Sequence, residues 1–305
     1  MKTKRLTFLL LSALTLAACG GDDPVVIHDK TQEIDTSGPN VNKNTSGPAE
    51  AQTRYEFPKV KGGNSEVIIH STANYGVNYS LEWDHSLRAT RWVCWEVNGE
   101  NRVERYSRSQ LWPNGDPWAY DPLVPESEQQ ATYNELSKSY YPGTGSYYQK
   151  GHICASQDRI YDKTANEQTF YMTNIYPQVG NFNGKLWQKL ESQVRTWGKG
   201  SNVMYVCKGG TIDTSAGILA RTTGNHIVPR YFFMAIVSQT TKGLRGIGFW
   251  MEHLDEDRSG DLLSKYAMSI DALESKTGLD FFCNMPDETE NAVEATLTLS
   301  DWNLK

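Results

Sequence analysis

Tyr147-Tyr-Gln-Lys150-Gly-His-Ile153, and after it Asn183-Gly-Lys-Leu-Trp-Gln-Lys-Leu-Glu191, decide how this chain folds. The first stretch reads as a short strand that delivers Lys150 and His152. The second opens an amphipathic helix from Asn183 to Trp197. Leu186, Leu190 and Val194 recur at four-residue spacing, and Gly198 and Gly200 stop it. Asn183, Trp187, Glu191 and Arg195 share that spacing, so they form a slowly drifting stripe on one helix side.

Working outward, the remaining signals are mostly β. Val67-Ile-Ile69 reads as a buried strand, Tyr79-Ser-Leu-Glu-Trp83 alternates, and Arg91-Trp-Val-Cys-Trp-Glu-Val97 is rich in β formers before an Asn98-Gly99 turn. Residues 101–130 carry Pro113, Pro117, Pro122 and Pro125 and read mostly as loop. Asn202-Val-Met-Tyr-Val-Cys207 and Tyr231-Phe-Phe-Met-Ala-Ile-Val237 read as core strands. Ser269 to Thr277 reads as a short helix, capped by Ser269 and stopped by Gly278. Strands, then a central helix, then strands again is an α+β pattern, not alternating βαβ.

The N-terminus carries Lys2, Lys4 and Arg5 before an apolar run from Leu6 to Ala18, too short to span a bilayer. It ends in Leu16-Ala-Ala-Cys19 and resembles a bacterial lipoprotein signal, with Cys19 as the lipid-bearing residue. Residues 1–18 are thus expected to be a signal peptide. Residues 19–54, rich in Gly, Pro, Ser, Asn and Thr, are expected to be a flexible tether, and 55–305 one folded domain. The expected location is an exported lipoprotein of the outer membrane, in either leaflet.

The formal net charge is −6, and removal of the signal leaves 27 basic against 36 acidic residues, a net −9. That excludes tight, charge-driven binding of nucleic acid along a broad surface, but not an enzyme with a local positive site. Cys94, Cys154, Cys207 and Cys283 match no zinc spacing. Either Cys94 pairs with Cys207 as a disulfide, or all are buried thiols.

The residue types around His152 suit hydrolysis of a phosphodiester. That reaction needs an activated water, a cation at the leaving oxygen and positive charge on the phosphate. A neutral histidine suits proton abstraction near neutral pH. Magnesium favours hard oxygen ligands and keeps several waters, so one amide oxygen with a nearby carboxylate is sufficient. There is a geometric constraint: eight helical residues rise roughly 12 Å, so Asn183 and Glu191 cannot both ligate one ion across a regular helix. Plainer roles compete. Asn183 could be a helix N-cap, Glu191 a solvated carboxylate paired with Arg195, and Lys150 a solvated strand residue. Trp187 reads as packing, His226 as structural, and Asp255-Glu-Asp-Arg-Ser-Gly260 as a charged surface loop.

At these residues the chain resembles the DNA/RNA non-specific endonuclease family, nucleases with a ββα-metal (His-Me finger) site. The likeness runs from Tyr75-Gly76 and Arg91-Trp-Val-Cys-Trp-Glu96 through Gly151-His152, Thr173-Asn174, Pro177-Gln178, Asn183, Trp187 and Leu190-Glu191. It continues to Ile227-Val-Pro229, Phe232-Phe233 and Thr277-Gly-Leu-Asp-Phe-Phe282. The resemblance implies a central antiparallel sheet with flanking helices and a DNA and RNA substrate. It implies one Mg2+, which Mn2+ can replace, held by Asn183, and products bearing a 5′-phosphate. By the same resemblance His152 is the general base, Glu191 orients metal-bound water, Asn174 shapes the site beside the histidine, and Arg195 serves the phosphate region. The family's Asp-Arg before Gly-His is Gln149-Lys150 here, which keeps the charge but loses a two-pronged phosphate contact. Arg105, with Arg108 in reserve, matches a further family arginine. The alternatives are a catalytically lapsed surface protein that binds nucleic acid, and a phosphodiesterase for a smaller substrate.

Overall fold

The β-rich runs assemble into one antiparallel sheet covered on both sides. The computed structural model describes residues 38–305, apart from the side chains of residues 130–134. Its strands are β1 (Ser65–Thr72), β2 (Gly76–Asp84), β3 (Ala89–Val97), β4 (Tyr148–His152), β5 (Ile175–Val179) and β6 (Val203–Gly210). They continue with β7 (Ile218–Arg221), β8 (Ile227–Pro229), β9 (Tyr231–Thr240), β10 (Gly243–Glu252) and β11 (Ala267–Met268). Seven of them form the main sheet in the order β1-β2-β3-β6-β9-β10-β11, with every neighbour antiparallel. The pairs β4-β5 and β7-β8 are separate two-stranded ribbons. Antiparallel sheet with short helices bears out the α+β reading. Among the described residues no helix is long and apolar enough to cross a membrane.

Strand alternation sorts the side chains between the two faces. Val93 and Trp95 of β3, Met204 and Val206 of β6, and Met234 and Ile236 of β9 form one core with Leu186, Leu190, Val194 and Trp197. Trp92, Cys94, Tyr205, Cys207, Ala235 and Val237 form the other, beneath Ile270, Leu273, Phe281 and Val293. The expected helix from Asn183 therefore covers one face. The helices Ile270–Thr277 and Asp287–Glu294 cover the other. Ser269 Oγ accepts from Ala272 N at 3.2 Å, and Gly278 adopts φ 71°, so both expected caps are present.

One expectation is corrected: residues 44–53, expected to belong to the tether, are held in place by polar side chains. Asn44 is buried, its N donates to Asn284 Oδ1 at 3.1 Å, and its Nδ2 donates to Pro58 O at 3.0 Å. Ala49–Thr53 is a short helix held by Asn284 Nδ2 on Ala51 O at 2.8 Å. Cys19 and the signal peptide lie outside the described residues. Of the two readings of the cysteines, the buried thiols are the one observed: Cys94 and Cys207 face each other across β3 and β6, and both are free thiols, as are Cys154 and Cys283. All are buried in apolar surroundings that push their pKa upward.

Candidate active site

The site forms where the β4-β5 ribbon meets the helix that follows it. In β4, Gly151 pairs with Tyr176 of β5 and the Gln178 side chain lies against it; a Cβ there would sit 2.2 Å from Gln178 Oε1. Only glycine allows that approach, which seats the strand carrying Lys150 and His152. Asn174 then locks the exit. Its Oδ1 accepts from Cys154 N at 2.8 Å, and its Nδ2 donates to Cys154 O at 2.9 Å and Thr169 O at 2.8 Å. Asn174 is fully buried and all its hydrogen bonds go to backbone. It positions the histidine strand and does not touch the cavity.

The helix solves the reach problem in a way the sequence reading did not foresee. Residues Phe182–Trp187 form a π-helical turn, and a regular α-helix, Gln188–Lys199, continues from it. The wider turn changes the phase of the stripe. Asn183, Gly184, Gln188, Glu191 and Arg195 all line one cavity of about 730 Å³ with Lys150, His152, Arg108 and Trp118. Trp187 leaves the stripe and stacks on Phe182 in the core, ring centroids 5.4 Å apart. Asn183 lies inside the turn and not at its cap, so the capping alternative fails. Its Nδ2 donates to Gln149 Oε1 at 2.9 Å, which leaves the amide oxygen Oδ1 as a hard ligand atom.

His152 sits between Trp118 and Phe170, with ring centroids 5.2 Å from each. Its Nε2 is buried without a hydrogen-bond partner, so Nδ1 is the nitrogen able to meet a water in the cavity. Burial first, then the Arg108 and Lys208 charges, lower its pKa to about 3, with Asp116 opposing. The imidazole is therefore neutral and ready to accept a proton. A phosphate anion in the cavity acts in the opposite direction to Arg108 and Lys208 and makes the ring a stronger base when substrate is present.

Charge is arranged tightly around this base. Arg108 Nε donates to Asp116 Oδ1 at 2.6 Å, and its guanidinium lies 4.8 Å over the Phe170 ring. Lys150 Nζ lies 5.2 Å over Trp118. Arg195 Nη1 donates to Asp158 Oδ1 at 2.9 Å and not to Glu191, so the competing reading of a Glu191–Arg195 i,i+4 pair is not what forms. Glu191 instead accepts from Lys208, a buried lysine of β6 whose Nζ lies 4.9 Å over Trp187. Burial raises the Glu191 pKa, and Lys208 opposes that shift. Arg108, Lys150 and Arg195 line the cavity against Glu104 and Glu191, so an acidic chain presents a locally positive pocket.

Arg105 is corrected. It is exposed, lies 5.7 Å over Tyr75, and is absent from the cavity wall, whereas Arg108 reaches it from the short helix Arg108–Leu111. Sequence reasoning also missed Lys208. The signal was there: Met204, Val206 and Lys208 share one strand face, and a lysine in a core position needs a partner. Trp118, Gln149 and Gln188 carried no comparable signal. His226 is buried beside Arg88, away from the cavity, as a structural histidine. The acidic loop at Asp255–Gly260 braces the helix: Lys185 pairs with Asp257 at 2.6 Å, and Asn181 donates to Asp255 Oδ1 at 2.9 Å.

A two-stranded ribbon followed by a helix, with a neutral histidine on the ribbon and an amide oxygen on the helix, is the ββα-metal arrangement of a nuclease. Residues 63–288 match the profile of the DNA/RNA non-specific endonuclease family. A nuclease of Nostoc sp. is 26% identical over 225 residues, covering 71% of this chain and 75% of the relative. Human mitochondrial endonuclease G is 24% identical over 216 residues, covering 68% of each. A nuclease of Serratia marcescens is 21% identical over 240 residues, covering 77% of this chain and 82% of the relative. The fold superposes on a solved structure described as an EndoG/EndoGI complex with a TM-score of 0.59 at 21% identity, covering 79% of this chain and 94% of that one. The chain belongs to the DNA/RNA non-specific endonuclease family, and it is an enzyme that hydrolyses phosphodiester bonds of nucleic acid.

Proposed function

We propose that this enzyme is a magnesium-dependent endonuclease that cleaves DNA and RNA to 5′-phosphate products at the His152 cavity. The observation that carries the reading is the convergence of the His152 base, the Asn183 side chain and the Lys150 and Arg108 charges on one space. Asn183 would hold the ion through Oδ1, and the size of the cavity leaves room for its waters. When bound, the ion supplies positive charge to the oxygen that leaves. His152 Nδ1 removes the proton of the attacking water. Glu191, fixed by Lys208, accepts hydrogen bonds from waters in the cavity and orients them. Arg108, Lys150 and Arg195 hold the phosphate by charge, and such contacts carry little base information, which supports cleavage without sequence preference. Mn2+ shares the preference for hard oxygen ligands and is expected to substitute. The test is digestion of plasmid and RNA with EDTA and with magnesium restored, with end-labelling of the products. Loss by EDTA, recovery and 5′-phosphate ends are expected; cleavage in EDTA or 3′-phosphate ends would reject the reading.

Export as a lipoprotein is the second part of the proposal. Leu16-Ala-Ala-Cys19 supports acylation of Cys19 and placement at the outer membrane, with the tether ending before Asn40. More than one acyl chain is needed for stable anchoring. Mass spectrometry of the mature N-terminus should find acyl chains on Cys19. An unmodified cysteine would make the enzyme a soluble exported one.

A further inference from the structure

On the sheet face opposite the nuclease cavity, two helices bring carboxylates together without a cation. Asp271 and Glu274 stand on Ile270–Thr277, and Glu290 and Glu294 on Asp287–Glu294, at spacings that place each pair on one helix side. Carboxylate oxygens of Asp271, Glu274 and Glu294 all lie within 4.8 Å of one another. An ion at calcium's usual oxygen distance of about 2.4 Å can bridge oxygens up to that far apart.

Burial makes this more than a patch of surface acid. Glu290 and Glu294 are only 3% and 4% exposed, and each has an Oε1 that is buried without a hydrogen-bond partner. The buried Glu294 carboxylate, with that unpartnered oxygen, is one of the three that converge. The partners present are few. Phe281 N donates to Glu274 Oε1 at 2.6 Å and Asn42 Nδ2 to Glu290 Oε2 at 3.0 Å, and no ion pair among the described residues reaches these carboxylates. Buried carboxylates of like sign need either a proton or a cation.

We propose that Asp271, Glu274 and Glu294 form a calcium site, separate from the nuclease cavity, that clamps the two C-terminal helices together. Glu290 lies beside it and links it through Asn42 to the N-terminal segment. The site is structural: it favours the folded state where calcium is abundant and contributes nothing to the chemistry at His152.

The test compares thermal unfolding of the full chain, first stripped with EDTA, with and without calcium chloride alone, in wild type, Glu294→Gln and Asp271→Asn. Asp271 is exposed, so its variant folds even if Glu294→Gln does not. Calcium at a hundredfold excess over its Kd should raise the wild-type Tm by about 5 °C or more. Both folded variants should lose most of that rise while plasmid cleavage in magnesium is unchanged. No rise in wild type would mean that the carboxyls are held by protons, and an equal rise in Asp271→Asn would place the calcium elsewhere; either result overturns the proposal.

Discussion

The two faces of the sheet solve the problem of buried charge in opposite ways. Around His152 nearly every charge has a partner: Glu191 has Lys208, Arg195 has Asp158, and Arg108 has Asp116. What is in excess is positive, and burial, helped by that excess, lowers the histidine to about 3. Across the sheet the excess is negative, and burial, helped by the neighbouring carboxylates, raises Glu294 to about 10. Each region is out of balance in the sense opposite to the ligand it suits, a phosphate anion on one face and a metal cation on the other. The difference teaches that a charge imbalance gains meaning from its geometry. A positive excess around an open cavity of about 730 Å³ reads as a substrate site, and a negative excess between two packed helices reads as a clamp.

The largest effect expected on the positive face comes from the base itself. His152→Ala should lower turnover by roughly 10²–10⁴-fold, the usual loss for a positioned general base, with little change in Tm. Turnover near that of wild type in a folded variant would move the base elsewhere.

Next is the buried pair. Lys208→Met leaves Glu191 largely buried without its cation, and breaking such a pair costs about 3 kcal/mol or more. Denaturant unfolding should show that loss together with reduced activity. If stability holds, Glu191 is already protonated and the pairing carries no weight.

A smaller effect separates Arg108 from Arg105. Arg108→Gln removes a positive neighbour, so protonated His152 is less disfavoured and its pKa rises. The acid limb of kcat/KM, which reports the free enzyme, should then move to higher pH, while kcat/KM itself falls. Arg105→Gln should leave both near wild type, since Arg105 contacts Tyr75 and not the cavity. A shifted limb in the Arg105 variant, with none in the Arg108 variant, would reverse the assignment.

The comparison also shows what the sequence could and could not say. The His152 strand, the 183–199 helix and the capped helix at Ser269 were legible because period and caps are local properties. The strand β5 was hidden by Pro177, which a two-stranded ribbon tolerates at its edge. The strand β10 was diluted by Gly243, Gly246 and Gly248. Gly246 is required because a Cβ there would sit 2.4 Å from Val293 O of the covering helix. The π-helical turn is a departure from periodicity, so a periodic reading could place Asn183 and Glu191 on one helix but not at one cavity. Lys208 and the acidic cluster depend on strands and helices distant in sequence. Their partners become visible only once the sheet order is known.

The most direct measurement is a magnesium titration of plasmid cleavage in wild type and Asn183→Ala after treatment with EDTA. The account predicts no cleavage by wild type in EDTA, recovery as magnesium is restored, and a half-point moved to higher magnesium in Asn183→Ala with lower maximal rate. Cleavage that persists in EDTA, or the same half-point in both proteins, would contradict a metal held by Asn183 beside the His152 base.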